Sequence, residues 1–321
     1  MREIAWVLMV GLAISTLLVQ PAHAEDAPPA WAYPVQSPGF KPEPDDGKLQ
    51  HVPGSAAAFT VTQARDLFFA LDWHPGEHPP LPDIVAHGRK PDVMACGACH
   101  RADGPGGPES AALAGLPEEY IIRQIEDFQS GARRSSLLKR GPPRLMIKTA
   151  KAMTDTASRQ AAAYFSKLTP RQVIKVVETD MVPKTRGAGG FLTALPGAEK
   201  EPIAGRIIEV PEHLEQFEMR DSHSHFIAYV PPGSVEKGRE FVASGGGKTA
   251  PCTTCHGTDL RGLGPIPGIA GRSPSYIVRQ LYDIQHGART GPWSSLMVPN
   301  VANLTIDDMV SLAAYAASLP P

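Results

Sequence analysis

The chain has 321 residues, 33 of them proline and 30 glycine, with four cysteines and a formal net charge of −2. That length holds two ordinary domains with separate cores, and the proline and glycine content calls for long loops around modest helices. A charge so close to neutral excludes the basic patch that nucleic acid needs and offers no strong acidic field.

In chain order, Arg2 precedes an apolar run from Trp6 to Val19, then Ala22-His23-Ala24 ahead of Glu25. This is the order of a secretory signal peptide, and the run is shorter than the ~20 residues that span a bilayer. Residues 1–24 are therefore expected to be a signal peptide and the mature chain periplasmic, with an uncleaved anchor as the alternative. Residues 25–59 are dense in proline, lack any period, and are expected to form an extended or partly ordered arm. Thr60 to Leu71 reads as a capped amphipathic helix, apolar at positions 61, 64, 67, 68 and 71. His74, His78 and His87 follow in a Pro- and Gly-rich loop without metal-like pairing, which favours surface or structural roles.

Cys96-Gly97-Ala98-Cys99-His100 and Cys252-Thr253-Thr254-Cys255-His256 are two C-x-x-C-H stretches. Two thiols on one helical turn can form thioethers to porphyrin vinyls while the adjacent imidazole reaches the iron, so two covalently attached haem c groups are expected. All four cysteines lie in these motifs. The rival, two Cys pairs sharing one zinc, suffers from their great separation in sequence. Export agrees with the haem reading.

An internal repeat follows each motif. Leu113 to Arg133 aligns without gaps to Ile269 to Arg289 at a shift of 156 residues, the same shift as between the motifs. Both segments have helical apolar spacing and end near a glycine suited to a helix C-terminus. Ala161 to Phe165 then matches Leu312 to Ala316 at a shift of 151, which also places Met146 on Met297, 46 and 41 residues after their histidines. A loop thioether is a soft sixth ligand that raises the potential and suits a carrier, and both methionines are expected in irregular loops. Core packing is the alternative for each; Met153 and Met181 compete with Met146, and Met94 lies on the proximal side.

The order of C-x-x-C-H, Leu-Ala-Gly, Tyr-x-x-x-Gln-Ile/Leu-x-Asp, Gly-Ala-Arg, Met and Ala-Ala-Tyr resembles the tandem dihaem cytochromes of the cytochrome c4 family over residues 90 to 168 and 235 to 319. The resemblance implies a mainly α fold: two cytochrome c-like helical haem domains in tandem, at 60–168 and 235–321. It also implies His100 and His256 as proximal ligands, Met146 and Met297 as distal ones, and Cys96, Cys99, Cys252 and Cys255 as anchors. Tyr120, Arg123, Gln124 and Arg133, with Tyr276, Arg279, Gln280 and Arg289, fall where such proteins place propionate or interface residues; a solvent-facing role is the alternative for Arg133 and Arg289. A backbone carbonyl that orients the histidine would come from Ala111 in one domain and Pro267 in the other.

The family links its domains briefly, whereas residues 169–234 intervene here. Segments 172–178, 205–210 and 225–230 read as short strands of a small sheet or hairpin. Asp221-Ser222-His223-Ser224-His225 is a metal or docking site or, more economically, an inert turn. The expected function is electron transfer without catalysis: single electrons pass from a periplasmic dehydrogenase to another cytochrome or a terminal oxidase, with membrane contact only through partners. An electron-transfer subunit of a dehydrogenase complex, or a dihaem peroxidase or thiosulfate-oxidising enzyme, are the alternatives.

Overall fold

Apolar residues at helical spacing drive the two repeat helices into their cores. Glu118–Ser130 buries Ile121 and Ile125 and stops at Gly131 in the left-handed region, while Pro274–Gln285 buries Ile277, Val278, Tyr282 and Ile284. These elements are seen in a computed structural model that describes residues 27–42 and 44–321; the expected signal peptide lies outside the described residues. Among the described residues no helix is long and apolar enough to cross a membrane.

Each repeat folds around its own cluster. The first joins Ile84, Val85, Ile121, Ile125, Met153, Ala161, Ala162 and Phe165. The second gathers Phe241, Val278, Tyr282, Met309, Val310 and Ala313, and continues into Tyr33, Ile207 and Val230 from outside the repeat. Corresponding backbone bonds recur: Gly115 N–H donates to the Phe165 carbonyl at 3.0 Å, and Gly271 N–H to the Ala316 carbonyl at 2.8 Å.

The segment expected as a helix over residues 60–71 is helical only at Val61–Arg65, entered through a Thr60–Gln63 capping box. Asp66 ends it, its carboxylate accepting from Phe68 N–H at 2.8 Å, a local bond that competes with helix. Leu67, Phe68 and Ala70 instead exchange backbone bonds with Ala95, Gly88 and Ala86. Their apolar side chains thereby frame the segment that leads into the first haem motif.

The three segments expected as strands form one sheet. Ile174–Glu178 runs parallel to Phe226–Val230, which pairs antiparallel with Ile208–Pro211. Two further pairs complete the insert, Met181–Pro183 with Lys200–Pro202 and the hairpin Thr185–Ala188 with Phe191–Ala194. Ala317 of the final helix, Ile306–Ser318, packs among Val173, Ile174, Phe226 and Ala228, which fastens the sheet to the second repeat. Among its described residues up to Phe59 the proline-rich arm has no helix or strand, yet Ala32 and Tyr33 are completely buried. Ser37 N–H further donates to the Gly187 carbonyl of the hairpin at 3.0 Å.

Candidate haem sites and the interface between them

Each C-x-x-C-H stretch is a single helical turn, Cys96–His100 and Thr253–His256, with Cys252 at the N-cap of the second in helical conformation. Both cysteines and the imidazole therefore project from one turn. Burial pushes the Cys96 thiol up to about 12 and raises Cys99 and Cys252, so these are uncharged thiols. His100 Nδ1 lies 2.8 Å from the Ala111 carbonyl and His256 Nδ1 2.9 Å from the Pro267 carbonyl. A carbonyl can only accept, so Nδ1 carries the hydrogen and Nε2 keeps its lone pair for a metal. Burial lowers both imidazoles from their ordinary pKa, which keeps them neutral.

The loop that supplies these carbonyls depends on a glycine in each repeat. Gly106 and Gly262 have φ of 66° and 100°, and a Cβ there would approach the Ala111 and Ile266 carbonyl oxygens to 2.5 and 2.6 Å. Only glycine fits such a turn.

The distal candidates differ from expectation in their backbone. Met146 lies on a regular helix, Gly141–Ala152, because Pro142 and Pro143 occupy its first turn, where no helical N–H is lost. Met297 sits at the junction of a 3₁₀ turn, Ser294–Leu296, and the one-turn helix Val298–Val301. Both methionines are half-buried against their cores. Of the competitors, Met153 is buried in the first core and Met181 is exposed on an insert strand.

One continuous cavity is lined by Cys96, Cys99, His100 and Met146 from the first repeat and by Cys255, His256 and Met297 from the second. Arg140, Arg272 and Arg289 line it too, and the Nε of each is buried without a protein partner. Burial pulls Arg140 down to about 9 and Arg272 to about 10, still cationic at neutral pH. Thiols, neutral imidazoles, thioethers and orphaned guanidinium donors together fit a porphyrin with anionic propionates.

The repeats meet about a pseudo-twofold centred on Arg133 and Arg289, whose backbones form an antiparallel bridge. Arg134 N–H donates to the Ala288 carbonyl and Thr290 N–H to the Ala132 carbonyl, both at 2.7 Å. Arg133 bonds Gln124 of its own repeat at 2.8 Å, and Tyr276 at 2.7 Å and Gln280 at 3.0 Å across the interface. Arg289 answers with Gln280 at 3.0 Å and Gln124 at 2.8 Å. Both arginines are buried here. Arg123 and Arg279, equivalent in the repeat, have parted: Arg123 pairs with Glu126 at the surface, whereas Arg279 is buried against the Ala32 and Pro108 carbonyls.

Sequence reasoning missed Arg140, Arg272 and Tyr33. Arg272 stands where the first repeat has Leu116, a charged-for-apolar exchange that marks it, and its Nη2 donates to the Ala114 carbonyl at 3.0 Å. Arg140, which donates to the Gly190 carbonyl of the insert at 2.8 Å, and Tyr33, which donates to Asp283 at 2.7 Å, are placed by tertiary docking alone.

No family model matches the chain. It is 38% identical over 78 residues to cytochrome c-554(548) of Halomonas halodenitrificans, covering 24% of this chain and 94% of that one. It is 28% identical over 233 residues to the thiosulfate dehydrogenase electron acceptor of Thiomonas intermedia, covering 72% of this chain and 81% of that one. Against cytochrome c4 of Azotobacter vinelandii the identity is 25% over 244 residues, with 71% and 85% covered. Among solved structures, cytochrome c4 of Acidithiobacillus ferrooxidans superposes with a TM-score of 0.46 at 21% identity, covering 70% of this chain and 98% of that one.

Proposed function

The chain belongs to the c-type cytochromes, and from that premise we propose that it is an exported dihaem carrier, taking single electrons from a dehydrogenase and passing them to another cytochrome or a terminal oxidase. It carries two covalently attached haem c groups, each supplying an iron that gains or loses one electron. In this reading Cys96, Cys99, Cys252 and Cys255 provide the thioether sulfurs. His100 and His256 offer Nε2 to the irons, held in the correct tautomer by the Ala111 and Pro267 carbonyls. Met146 and Met297 would hold the groups from the other side, where a thioether would keep small oxidants out and favour the reduced state.

The observation that carries the reading is the single cavity shared by both sets of ligands. Groups held in that cavity from both sites would exchange an electron within the molecule, without a second diffusional encounter. Leu145, Leu296 and Val298 flank the two methionines with exposed apolar side chains, a surface suited to brief redox docking. No proton donor or substrate is required for this transfer.

The test is spectroscopic. Both oxidised haems should show the weak red absorption band of methionine ligation, and the reduced protein should not bind carbon monoxide. Carbon monoxide binding at either iron would replace the carrier reading with a dihaem enzyme.

Two relatives are thiosulfate dehydrogenase electron acceptors, which favours a second, narrower reading: a dedicated subunit whose donor is a sulfur-oxidising dehydrogenase. Co-purification of that enzyme from the native host, with thiosulfate-driven haem reduction, would support it. Equal reduction rates by unrelated dehydrogenases would favour a free carrier.

A further inference from the structure

His74 and His223 are 149 residues apart in sequence, one in the loop ahead of the first motif and one in the insert, yet their rings stack with centroids 3.7 Å apart and planes 7° from parallel. Glu77 joins them through a turn in which its N–H donates to the His74 carbonyl at 3.0 Å. One ligand atom from each of His74, Glu77 and His223 lies within 4.8 Å of the others. We propose that these three residues form a binding site for one divalent first-row transition ion, of the zinc class, that staples the loop ahead of the first C-x-x-C-H motif to the insert.

Two features beyond proximity support a built site. Asp221 accepts a hydrogen bond from His74 Nε2 at 2.9 Å, and its own side chain also accepts from the His223 N–H at 3.0 Å and from Gln216 at 2.6 Å. A carboxylate behind a histidine is the outer partner that fixes the ring of a metal ligand, here leaving Nδ1 of His74 free. Asp221 is fully buried and His74 nearly so, so this half of the site is rigid.

The second feature is a conflict at His223 Nε2. It lies 2.8 Å from Glu77 Oε2 and 2.7 Å from Arg171 Nη1. Protonated, it satisfies Glu77 and meets the guanidinium donor head on; unprotonated, it accepts from Arg171 and faces the carboxylate with a lone pair. Neither state satisfies both contacts. A divalent cation in place of the guanidinium satisfies the carboxylate and the unprotonated nitrogen together. Arg171, which also bonds Glu77, stands in for that cation, and it has an alternative partner in Asp103, 3.0 Å from its Nε. The lone pairs of stacked parallel rings do not converge, so the half-exposed His223 ring turns out of the stack on binding. Two imidazoles and one carboxylate leave a position for water and match the ligand preference of zinc.

Calorimetric titration of the haem-loaded protein with zinc chloride should show one saturable site. His223→Ala and Glu77→Gln, both at accessible positions, should abolish it while the visible spectrum of both haems stays unchanged. Asp221→Asn should weaken it about 10- to 100-fold, Arg171→Gln should tighten it, and His87→Ala should leave it unaltered. Absence of saturable binding in the parent protein overturns the proposal. So does undiminished binding in His223→Ala or Glu77→Gln, or weaker binding in Arg171→Gln, which would mean that the guanidinium builds the pocket instead of filling it.

Discussion

The two repeats use the same proximal device and different scaffolds to hold it. In the second, the helix Ser234–Ser244 crosses the final helix so closely that a Cβ on Gly238 would lie 2.0 Å from the Ser311 carbonyl oxygen. In the first, the corresponding stretch is reduced to the single turn Asp83–Ala86, and backbone pairing with residues 67–70 does the work. After the motif, the second repeat turns at Gly257 with φ of 83°, whereas the first forces Arg101 to φ of 68°. Arg101 is then buried over the Phe217 ring of the insert, with Glu109 3.5 Å away. The arm and the insert brace the second repeat through Tyr33 on Asp283 and Glu209 at the start of Pro274–Gln285. The lesson is that a duplicated haem site keeps its thiols, its imidazole and the glycine and carbonyl that orient the ring, while the scaffold around them diverges.

The largest test of that asymmetry lies on the distal side. Met297→Ala should lower the potential of the second haem alone, by on the order of 0.1 V or more within the roughly 0.8 V that axial ligands span, and open that iron to carbon monoxide. Met146→Ala should do the same to the first haem alone. Redox titration of each variant, followed at the red band, checks both assignments; an unmoved potential in either removes that methionine from the iron. Because Met146 rides a twelve-residue helix and Met297 a one-turn junction, the first variant should leave its distal backbone more ordered. Faster amide exchange around residue 297 than around residue 146 would reveal that difference.

The interface is the part that the repeats share, so breaking it should uncouple them. Arg133→Ala strips Tyr276 of its buried donor and leaves Gln124 and Gln280 with Arg289 alone, and should cost about 2–4 kcal/mol. Thermal unfolding monitored at the haem bands should then separate into two transitions. A single cooperative transition with an unchanged midpoint would show that the arm and insert, not the arginines, join the domains.

The haem motifs and the interface were legible because both are written twice: covalent attachment demands a fixed spacing, and a pseudo-twofold repeats its contacts at one sequence shift. The insert strands were legible from β-branched runs between Pro and Gly, although nothing local announced that residues 174–178 and 226–230 would run parallel across 47 intervening residues. Other features rest on tertiary partners. The helix expected over 60–71 stops at Asp66 because distant backbone groups claim residues 67–70. The arm composition signals a loose chain, yet Tyr33 finds Asp283 and an edge-to-face contact with Tyr282 at 5.8 Å. Pro142 and Pro143 suggest a loop around Met146, whereas prolines in a first helical turn start a helix as readily as they interrupt one.

The smallest predicted effect concerns a brace that only the second repeat possesses. Glu209 is fully buried and accepts from the Ser273 hydroxyl at 2.7 Å, the Ser275 hydroxyl at 2.5 Å and the Ser275 N–H at 3.2 Å, where the first repeat has Pro117 and Glu119. Burial raises its carboxyl above the ordinary 4.5, outweighing those bonds and the charge of Arg279. A carboxyl with a raised folded-state pKa binds its proton more tightly folded than unfolded. Its contribution is therefore complete below pH 4.5 and is lost as pH rises through the folded value. Glu209→Gln keeps the shape and an acceptor oxygen but cannot ionise. Denaturant unfolding between pH 4 and pH 8 should show a flatter stability profile for the variant, the two proteins converging at the acid end and the variant gaining relative to the parent as pH rises. A parent that instead gains on the variant above pH 5 would show that the Arg279 charge, not burial, governs Glu209.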